Sequence, residues 1–497
     1  MNATRQQSLA QLADAPLDLL VIGGGILGAG IVRDAAMRRL RVGLVEQFDF
    51  AEGTSSRSSR LLHGGLRYLA QGHLGLVREA GREKNILAHI APHLACPLPF
   101  IFPTYRGTPW PKWQLAIGVR LYDLLCGVKG GPRSGTLSRT ETLDALPWLA
   151  DQNLTGGVQY GDGLTNDARL VIDTLRSASK YDAILLNHVS LIHATRARAG
   201  GRWNCRLRDT ITGQELDVQT LTIANAAGPW ADKIQPSHLH LRLTKGIHLM
   251  IDRAKLPLSS AAVMTQGNRI LFAIPYGQRI ILGTTDTDYS GPLDDVRTDL
   301  DDVQYLLNVV NGTFPKAGIE LRDIVAEWAG LRPLIAQKDG SPSDISRKHL
   351  IVHHGDGWVD IAGGKLTTYR RIAQEAVDQI AHYLHQGVPC RTHIEPLLNP
   401  CETLGISGIE PPSLEPKIIE HFCHNEWAMH LDDVMVRRGR WTSYHRNARA
   451  IARQVAGMMA QSLGWGAARQ QAEVQAYERK TASVLDPFFS AGPAAPH

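Results

Sequence analysis

A glycine turn, Gly23-x-Gly25-x-x-Gly28, follows directly on the apolar run Leu19-Leu20-Val21-Ile22, and Glu46 closes a second apolar run, Val42-Gly43-Leu44-Val45. A glycine triplet alone recurs in ordinary turns. Strand, glycines, helix, strand and acid in this order constrain the start of the chain to a βαβ dinucleotide-binding unit. Gly23 permits the tight turn off the first strand, Gly25 lets the backbone approach a pyrophosphate, and Gly28 lets the helix pack close to the sheet. The helix N-terminus then faces the phosphates. Glu46 is placed to accept a hydrogen bond from a ribose 2′-hydroxyl, and its charge disfavours the 2′-phosphate of NADP.

The 497 residues suffice for a large core in two or three domains, with 43% hydrophobic and 20% charged residues as in ordinary globular proteins. The formal charge of +5 is small for this length and no long basic block stands out, so no nucleic acid partner is expected. Six cysteines form no CxxC pair and read as reduced thiols of a protein on the cytoplasmic side. No His/Cys/Asp/Glu group has metal-ligand spacing and no nucleophile elbow occurs, so no metal is expected. The segment Met1 to Pro16 is polar and reads as no signal peptide. The longest apolar run, Leu19 to Val32, is too short and glycine-rich to span a bilayer, so any membrane association is expected to be peripheral or monotopic.

Alternating strand and helix signals at the start give an α/β fold with a Rossmann-like nucleotide-binding domain. Arg78 to Ile90 has helical spacing and leads into the proline-rich stretch Cys96 to Pro111, where the chain leaves this domain. Helix is expected over Leu170 to Ser179, and strand over Ala183 to Ile192 and Leu221 to Asn225. From Leu239 to Tyr289 the pattern turns to β, with a hairpin pairing Arg269 to Ile274 with Arg279 to Gly283. A strand over Trp358 to Ala362 then turns at Gly363-Gly364 into a helix to about Leu384. Prolines 396, 400, 411, 412 and 416 mark a linker before a C-terminal helical domain, and the tail Ser490 to His497 reads as disordered. The expected division is 17–95, 155–238 and 340–385 for the cofactor domain, 96–154 and 239–339 for an interleaved α+β substrate domain on an antiparallel sheet, and 386–490 for the helical domain.

Past Glu46, the stretch Gly53 to Leu69 (GTSSRSSRLLHGGLRYL) interleaves hydroxyls, glycines and cations. It can hydrogen-bond phosphate and flavin while its glycines admit a flat ring. Further downstream come Tyr160-Gly161-Asp162-Gly163, Asn166-Asp167-Ala168-Arg169-Leu170, Gly283-Thr284-Thr285-Asp286, Gly330-Leu331-Arg332-Pro333-Leu334 and Gly363-Gly364-Lys365-Leu366-Thr367-Thr368-Tyr369-Arg370. Together these strongly resemble FAD-dependent glycerol-3-phosphate dehydrogenase, in the right order over roughly residues 17 to 385. The resemblance implies the D-amino-acid-oxidase-like fold, bound FAD, oxidation of sn-glycerol 3-phosphate to dihydroxyacetone phosphate, and delivery of electrons to membrane quinone. It further implies FAD contacts at Gly23, Gly25, Gly28, Glu46, Thr54, Ser55, Ser59, His63, Gly64, Gly65, Val189, Ala227, Gly228, Gly364, Lys365, Leu366 and Thr367. The C-terminal part matches less well: residues 370–426 are shorter than family members usually have, which leaves a homodimer contact open. Arg60 stands where lysine is expected.

The chemistry needs a cradle for a phosphate dianion and an acceptor for the hydroxyl proton. Arginine suits the cradle because its planar fork makes paired bonds to phosphate. Arg67 and Arg332 match the family's substrate arginines, with Arg347 as a third candidate and Tyr68 and His248 beside them. His63, Lys365 and His248 are the candidate bases, and which of them serves stays open; Arg332 holds the substrate. The Gly-Gly turn before a helix, with Lys365, suits the negative charge of a reduced flavin. Residues 104–133 carry five Arg/Lys against one acid, net positive by four, with Trp110, Trp113, Tyr105 and Tyr122. As a helix from Lys112 to Leu125 they place Trp113, Leu115, Ile117, Leu121, Leu124 and Leu125 on a wide apolar arc, which fits an ordinary core helix or shallow insertion at an anionic membrane on the cytoplasmic face of the inner membrane, the second being what a quinone acceptor requires. The alternatives are an oxidase returning electrons to oxygen, a related FAD enzyme of another hydroxy acid or amine, and a non-catalytic flavin-binding regulator.

Overall fold

The computed structural model describes residues 3–70, 72–108, 110–127, 132, 134–196, 201–267, 269–335 and 349–487. Two sheets organise them. In the first, Leu17–Ile22 lies between Val42–Val45 and Glu215–Asn225, all parallel, as the near-continuous apolar runs of strands buried on both faces require. Ile184–Leu186 extends one side and Trp358–Gly363 the other, with His349–His353 antiparallel at the edge. The expected strand Ala183 to Ile192 is two strands, Ile184–Leu186 and Val189–Arg196, because His188 between them takes a left-handed φ of 53°. Helices Ile26–Met37, Asp167–Ser179 and Tyr369–Tyr383 pack together, and their buried side chains share one core with the sheet. The N-terminal segment is itself a helix, Ala3–Asp14, whose Leu12 is buried and whose Arg5 pairs with Asp209 at 2.9 Å.

The second sheet has ten strands and is antiparallel apart from one short parallel contact between Ala261–Gln266 and Cys96–Tyr105. The hairpin of Arg269–Tyr276 with Arg279–Gly283 forms as expected. Leu241–Asp252 runs between that hairpin and Ile324–Ile335, the strand that carries Arg332. Leu154–Leu164 pairs with both Cys96–Tyr105 and the short strand Leu61–Leu62, so residues 155–164, expected in the nucleotide-binding part, lie in this second sheet. Residues 61–62 thus carry the flavin-motif segment from one sheet to the other.

The C-terminal helices Pro416–Asn425, Ala448–Leu463 and Ala467–Lys480 share their own apolar core. Buried ion pairs bind them to the rest. Arg169 meets both oxygens of Glu426 at 2.6 and 2.8 Å, Arg440 reaches Asp167 at 3.0 Å, and Arg437 and Arg438 both engage Asp49. The Asn166-Asp167-Ala168-Arg169 motif therefore docks the C-terminal helices. The expected disorder of Ser490 to His497 falls outside the described residues.

Candidate active site

One cavity of about 1580 Å³ lies between the two sheets, larger than the roughly 300–1,000 Å³ of ordinary ligand pockets. The glycine turn forms one end. Gly23 has φ 105°, and a Cβ there would lie 2.6 Å from the carbonyl oxygen of Ala226, so only glycine fits. A Cβ at Gly28 would lie 1.9 Å from the carbonyl oxygen of Gly23; Gly28 closes the turn from behind and does not line the cavity. Both oxygens of Glu46 accept backbone N–H groups, from Gly24 at 2.7 Å and Phe48 at 2.9 Å, which fixes the carboxyl at the cavity edge. Burial pushes its pKa up to about 7. Thr54, Ser55, Val189, Ala227 and Gly228 join Gly23, Gly25 and Glu46 on this wall.

Residues expected to touch the cofactor also hold one another. Ser55 Oγ accepts the N–H of Ile26 at 3.0 Å, and Thr54 Oγ1 donates to Leu331 beside Arg332 at 2.6 Å. Thr367 does not line the cavity; its hydroxyl accepts the His63 N–H at 3.0 Å and donates to the His63 carbonyl at 3.2 Å. It thereby stitches together the two segments that carry His63 and Lys365. Gly64 also sits off the wall. A Cβ there would lie 2.4 Å from the Tyr122 hydroxyl, so this glycine makes room for Tyr122 and not for a flat ring. The Tyr122 hydroxyl accepts the Gly64 N–H at 2.8 Å and donates to Asp162 Oδ1 at 2.6 Å, with Lys84 on the same oxygen at 2.8 Å. Beside it, Gly65 adopts φ 82° against the Tyr68 ring.

Further along the cavity lie His63, Tyr68, His248, Arg332, Gly364, Lys365 and Leu366. Lys365 Nζ stands 3.6 Å from the centroid of the Tyr68 ring. Arg332 reaches across the strand Leu241–Asp252 above Gly246, where a Cβ would lie 2.3 Å from Nη2. Its Nη1 meets Asp286 Oδ1 at 2.9 Å, and its Nη2 donates to Thr284 Oγ1 at 3.1 Å and to the Thr285 carbonyl at 3.2 Å. The motif Gly283-Thr284-Thr285-Asp286 is thus a seat for this guanidinium. His248 is buried with Nε2 2.8 Å from Ser59 Oγ; burial, then Arg332 and Arg60, hold its pKa well below the usual imidazole range. The Arg67 side chain and the whole of Arg347 lie outside the described residues.

Asp49, His188 and Asp433 converge as a triad that sequence spacing could not reveal. Arg437 and Arg438 take its carboxylates, which makes it an ion-pair junction of the C-terminal helices and not the donor set of a cation.

The cavity continues past Phe100, Phe102 and Leu69 to the helix Lys112–Cys126, of which Leu115, Ile117, Gly118 and Leu121 line its mouth. The expected apolar arc of this helix is divided. Leu115 and Leu125 pack inward with Val119 and Tyr122, while Trp113, Ile117 and Leu124 are 68%, 60% and 79% exposed. Lys112 donates to the Leu137 carbonyl and so is withdrawn from the basic stripe; Lys129 and Arg133 lie outside the described residues. Among the described residues no helix is long and apolar enough to cross a membrane.

A parallel sheet with a glycine turn at its carboxyl edge, joined to an antiparallel sheet across a large shared cavity, defines a dinucleotide-dependent oxidoreductase. Residues 18–370 match the FAD dependent oxidoreductase family, and the chain belongs to it. It is 40% identical over 382 residues to an aerobic glycerol-3-phosphate dehydrogenase of Staphylococcus epidermidis, covering 76% of this chain and 69% of that one. A protein of the same description from Staphylococcus aureus is 38% identical over 410 residues, covering 81% and 72%. The fold is similar to that of the glycerol-3-phosphate dehydrogenase from Bacillus halodurans complexed with FAD, with TM-score 0.78 and 26% identity over 97% of this chain and 98% of that one. It also resembles L-alpha-glycerophosphate oxidase from Mycoplasma pneumoniae with FAD bound, TM-score 0.60 and 17% identity over 76% of this chain and 97% of that one, a likeness of fold alone. The Gly23 turn that a Cβ would fill, and the carboxyl of Glu46 at the cavity edge, fit FAD.

Proposed function

We propose that this chain oxidises sn-glycerol 3-phosphate to dihydroxyacetone phosphate and passes the two electrons to a membrane quinone. The observation that carries this reading is Arg332, seated by Asp286, Thr284 and Thr285 in the cavity that also holds Lys365, His63 and His248. A guanidinium held in one orientation places a fixed positive charge for a phosphate dianion. Flavin, when bound, supplies the hydride acceptor. Gly23, Gly25 and Glu46 would hold its nucleotide end, and Gly65, Gly364 and Lys365 its other end.

Of the three candidate bases His248 is favoured. Its imidazole is buried next to Arg332 and held neutral, as an acceptor of the substrate hydroxyl proton must be. Lys365 is assigned the opposite task. With its Nζ over the Tyr68 ring face, it lies in the cavity as a cation directed to the cofactor. His63, whose backbone is held by Thr367, lines the same cavity and stays the second candidate. The exposed Trp113, Ile117 and Leu124, on the helix whose Ile117 and Leu121 line the cavity, support a lipid surface as the place where quinone is met.

The deciding measurement is anaerobic addition of glycerol 3-phosphate to the purified yellow protein. Bleaching of the flavin is expected, followed by return of the colour on adding a ubiquinone analogue faster than on adding air. A colourless protein or an unresponsive flavin overturns the reading, and faster return in air moves the assignment to an oxidase.

A further inference from the structure

Arg60 is only 1% exposed, yet no carboxylate pairs with it among the described residues: Asp167 is taken by Arg440 and by Ser58. Its Nη2 donates to Ser443 Oγ at 3.0 Å, while Nε and Nη1 have no hydrogen-bond partner. The charge meets two ring faces instead, Tyr276 and Trp328, each 4.6 Å away. The backbone is left-handed as well, with φ 57°. A buried charge, unmet N–H groups and a left-handed non-glycine residue each cost stability. Methionine would fill the same slot without the first two costs, so packing does not account for an arginine here. Costs concentrated at one residue point to function.

That function is suggested by what lies beyond the indole. Trp328 stacks on His248 with ring centroids 5.2 Å apart and an interplanar angle of 14°, and Ser59, the chain neighbour of Arg60, holds His248 Nε2. The charged groups bearing on His248 are Arg332, from the strand Ile324–Ile335, and Arg60. Asp286 stands behind Arg332. On the imidazole's own strand, Lys245 is turned to Asp299 and Asp302, and Gly283 lies opposite on the neighbouring strand.

We propose that Arg60 is a positioning residue whose buried charge, set against Trp328, keeps His248 in the neutral form that accepts the substrate proton. The proposal rests on the reading of His248 as that acceptor. Burial and neighbouring Arg440 push the Arg60 guanidinium down to about 10 against the opposing pull of Tyr276 and Asp167, still cationic at neutral pH, so the charge is present when the enzyme turns over. Removing it removes one repulsion on the imidazolium. His248 then protonates at higher pH, and the protonated fraction cannot take the hydroxyl proton.

The test is the pH dependence of anaerobic flavin reduction by glycerol 3-phosphate in wild type, Arg60→Met, Arg60→Lys and His248→Asn. Arg60→Met is expected to raise the acid limb by roughly one pH unit, with unchanged flavin content and a Tm equal to or above that of wild type, and Arg60→Lys is expected to return the limb. If the limb stays put in Arg60→Met while His248→Asn abolishes it, Arg60 does not tune His248 and the proposal fails alone. If His248→Asn keeps the wild-type limb, the acceptor assignment fails and takes the proposal with it. A lowered Tm with an unmoved limb would make Arg60 a structural peg. Should Arg60→Met not retain flavin, Arg60→Gln, which keeps a donor for Ser443 and removes the charge, is read by the same profile.

Discussion

The guanidinium of Arg332 lies where a single methyl group would displace it. Gly246→Ala puts a Cβ 2.3 Å from Nη2 and 2.7 Å from Thr284 Oγ1, both ends of side chains that yield without disturbing the backbone. The variant is therefore expected to fold with a near-native Tm but to lose the arginine's orientation. The loss is that of a hydrogen bond to a charged group, about 1.5–3 kcal/mol, which appears as roughly a 10- to 100-fold rise in KM for glycerol 3-phosphate. Steady-state kinetics beside Arg332→Ala check it, and an unchanged KM removes Arg332 from the phosphate cradle. The sequence exposed Arg332 and the Thr284-Thr285-Asp286 motif separately. Their contact was not legible, because it forms across strands whose pairing is set by the whole sheet and not by local pattern. Gly64 is a related case. Its neighbours in sequence suggest room for a ring, whereas the group that excludes a side chain is Tyr122, which arrives on a helix 58 positions later.

At the level of elements, periodicity identified the helix Lys112–Cys126 and its apolar character but assigned one arc where the fold makes two faces. Hydrophobic spacing says which residues avoid water and not what covers them. Val119, Tyr122 and Cys126 are covered by the protein, and Cys126 fills the space where Gly81 lacks a side chain. Trp113, Ile117 and Leu124 are left exposed, and of the three Ile117 lines the cavity. Replacing these three by serine is expected to weaken binding to anionic phospholipid vesicles by about 10-fold per side chain, measured by co-sedimentation. Reduction of the flavin by glycerol 3-phosphate in solution is expected to be unchanged, since none of the three meets Arg332, His248 or Lys365. Equal sedimentation of the variant would remove this face from the membrane assignment. The βαβ unit, by contrast, was legible because strand, turn and helix are local and the glycines answer to local sterics.

Across the whole molecule the C-terminal helices are secured to the nucleotide-binding part by charge, through residues such as Asp167 and Arg169 that the sequence offered only as part of a family resemblance. Their partners lie hundreds of positions apart, out of reach of any local pattern. Glu426 is the member whose titration exposes this design. Burial alone would raise its pKa, but Arg169, His421 and Arg176 overcome that and hold it well below the usual carboxylate range. A carboxyl depressed in the folded state stabilises the fold above its unfolded pKa of roughly 4.3. That contribution falls away as pH drops from there toward the folded value. Wild type is accordingly expected to lose stability steadily from about pH 4.3 downward. Glu426→Gln removes one of the two buried carboxylates on Arg169, 1% exposed, and leaves it Asp173 at 2.9 Å. The cost is that of charge-assisted hydrogen bonds on a guanidinium that Asp173 still compensates, about 1.5–3 kcal/mol at neutral pH, shrinking in acid because the wild type loses the same pair there. Denaturant unfolding at neutral pH and at acid pH measures the difference, and a variant as destabilised in acid as at neutrality would show that the Arg169–Glu426 pair is not what ties the two parts together.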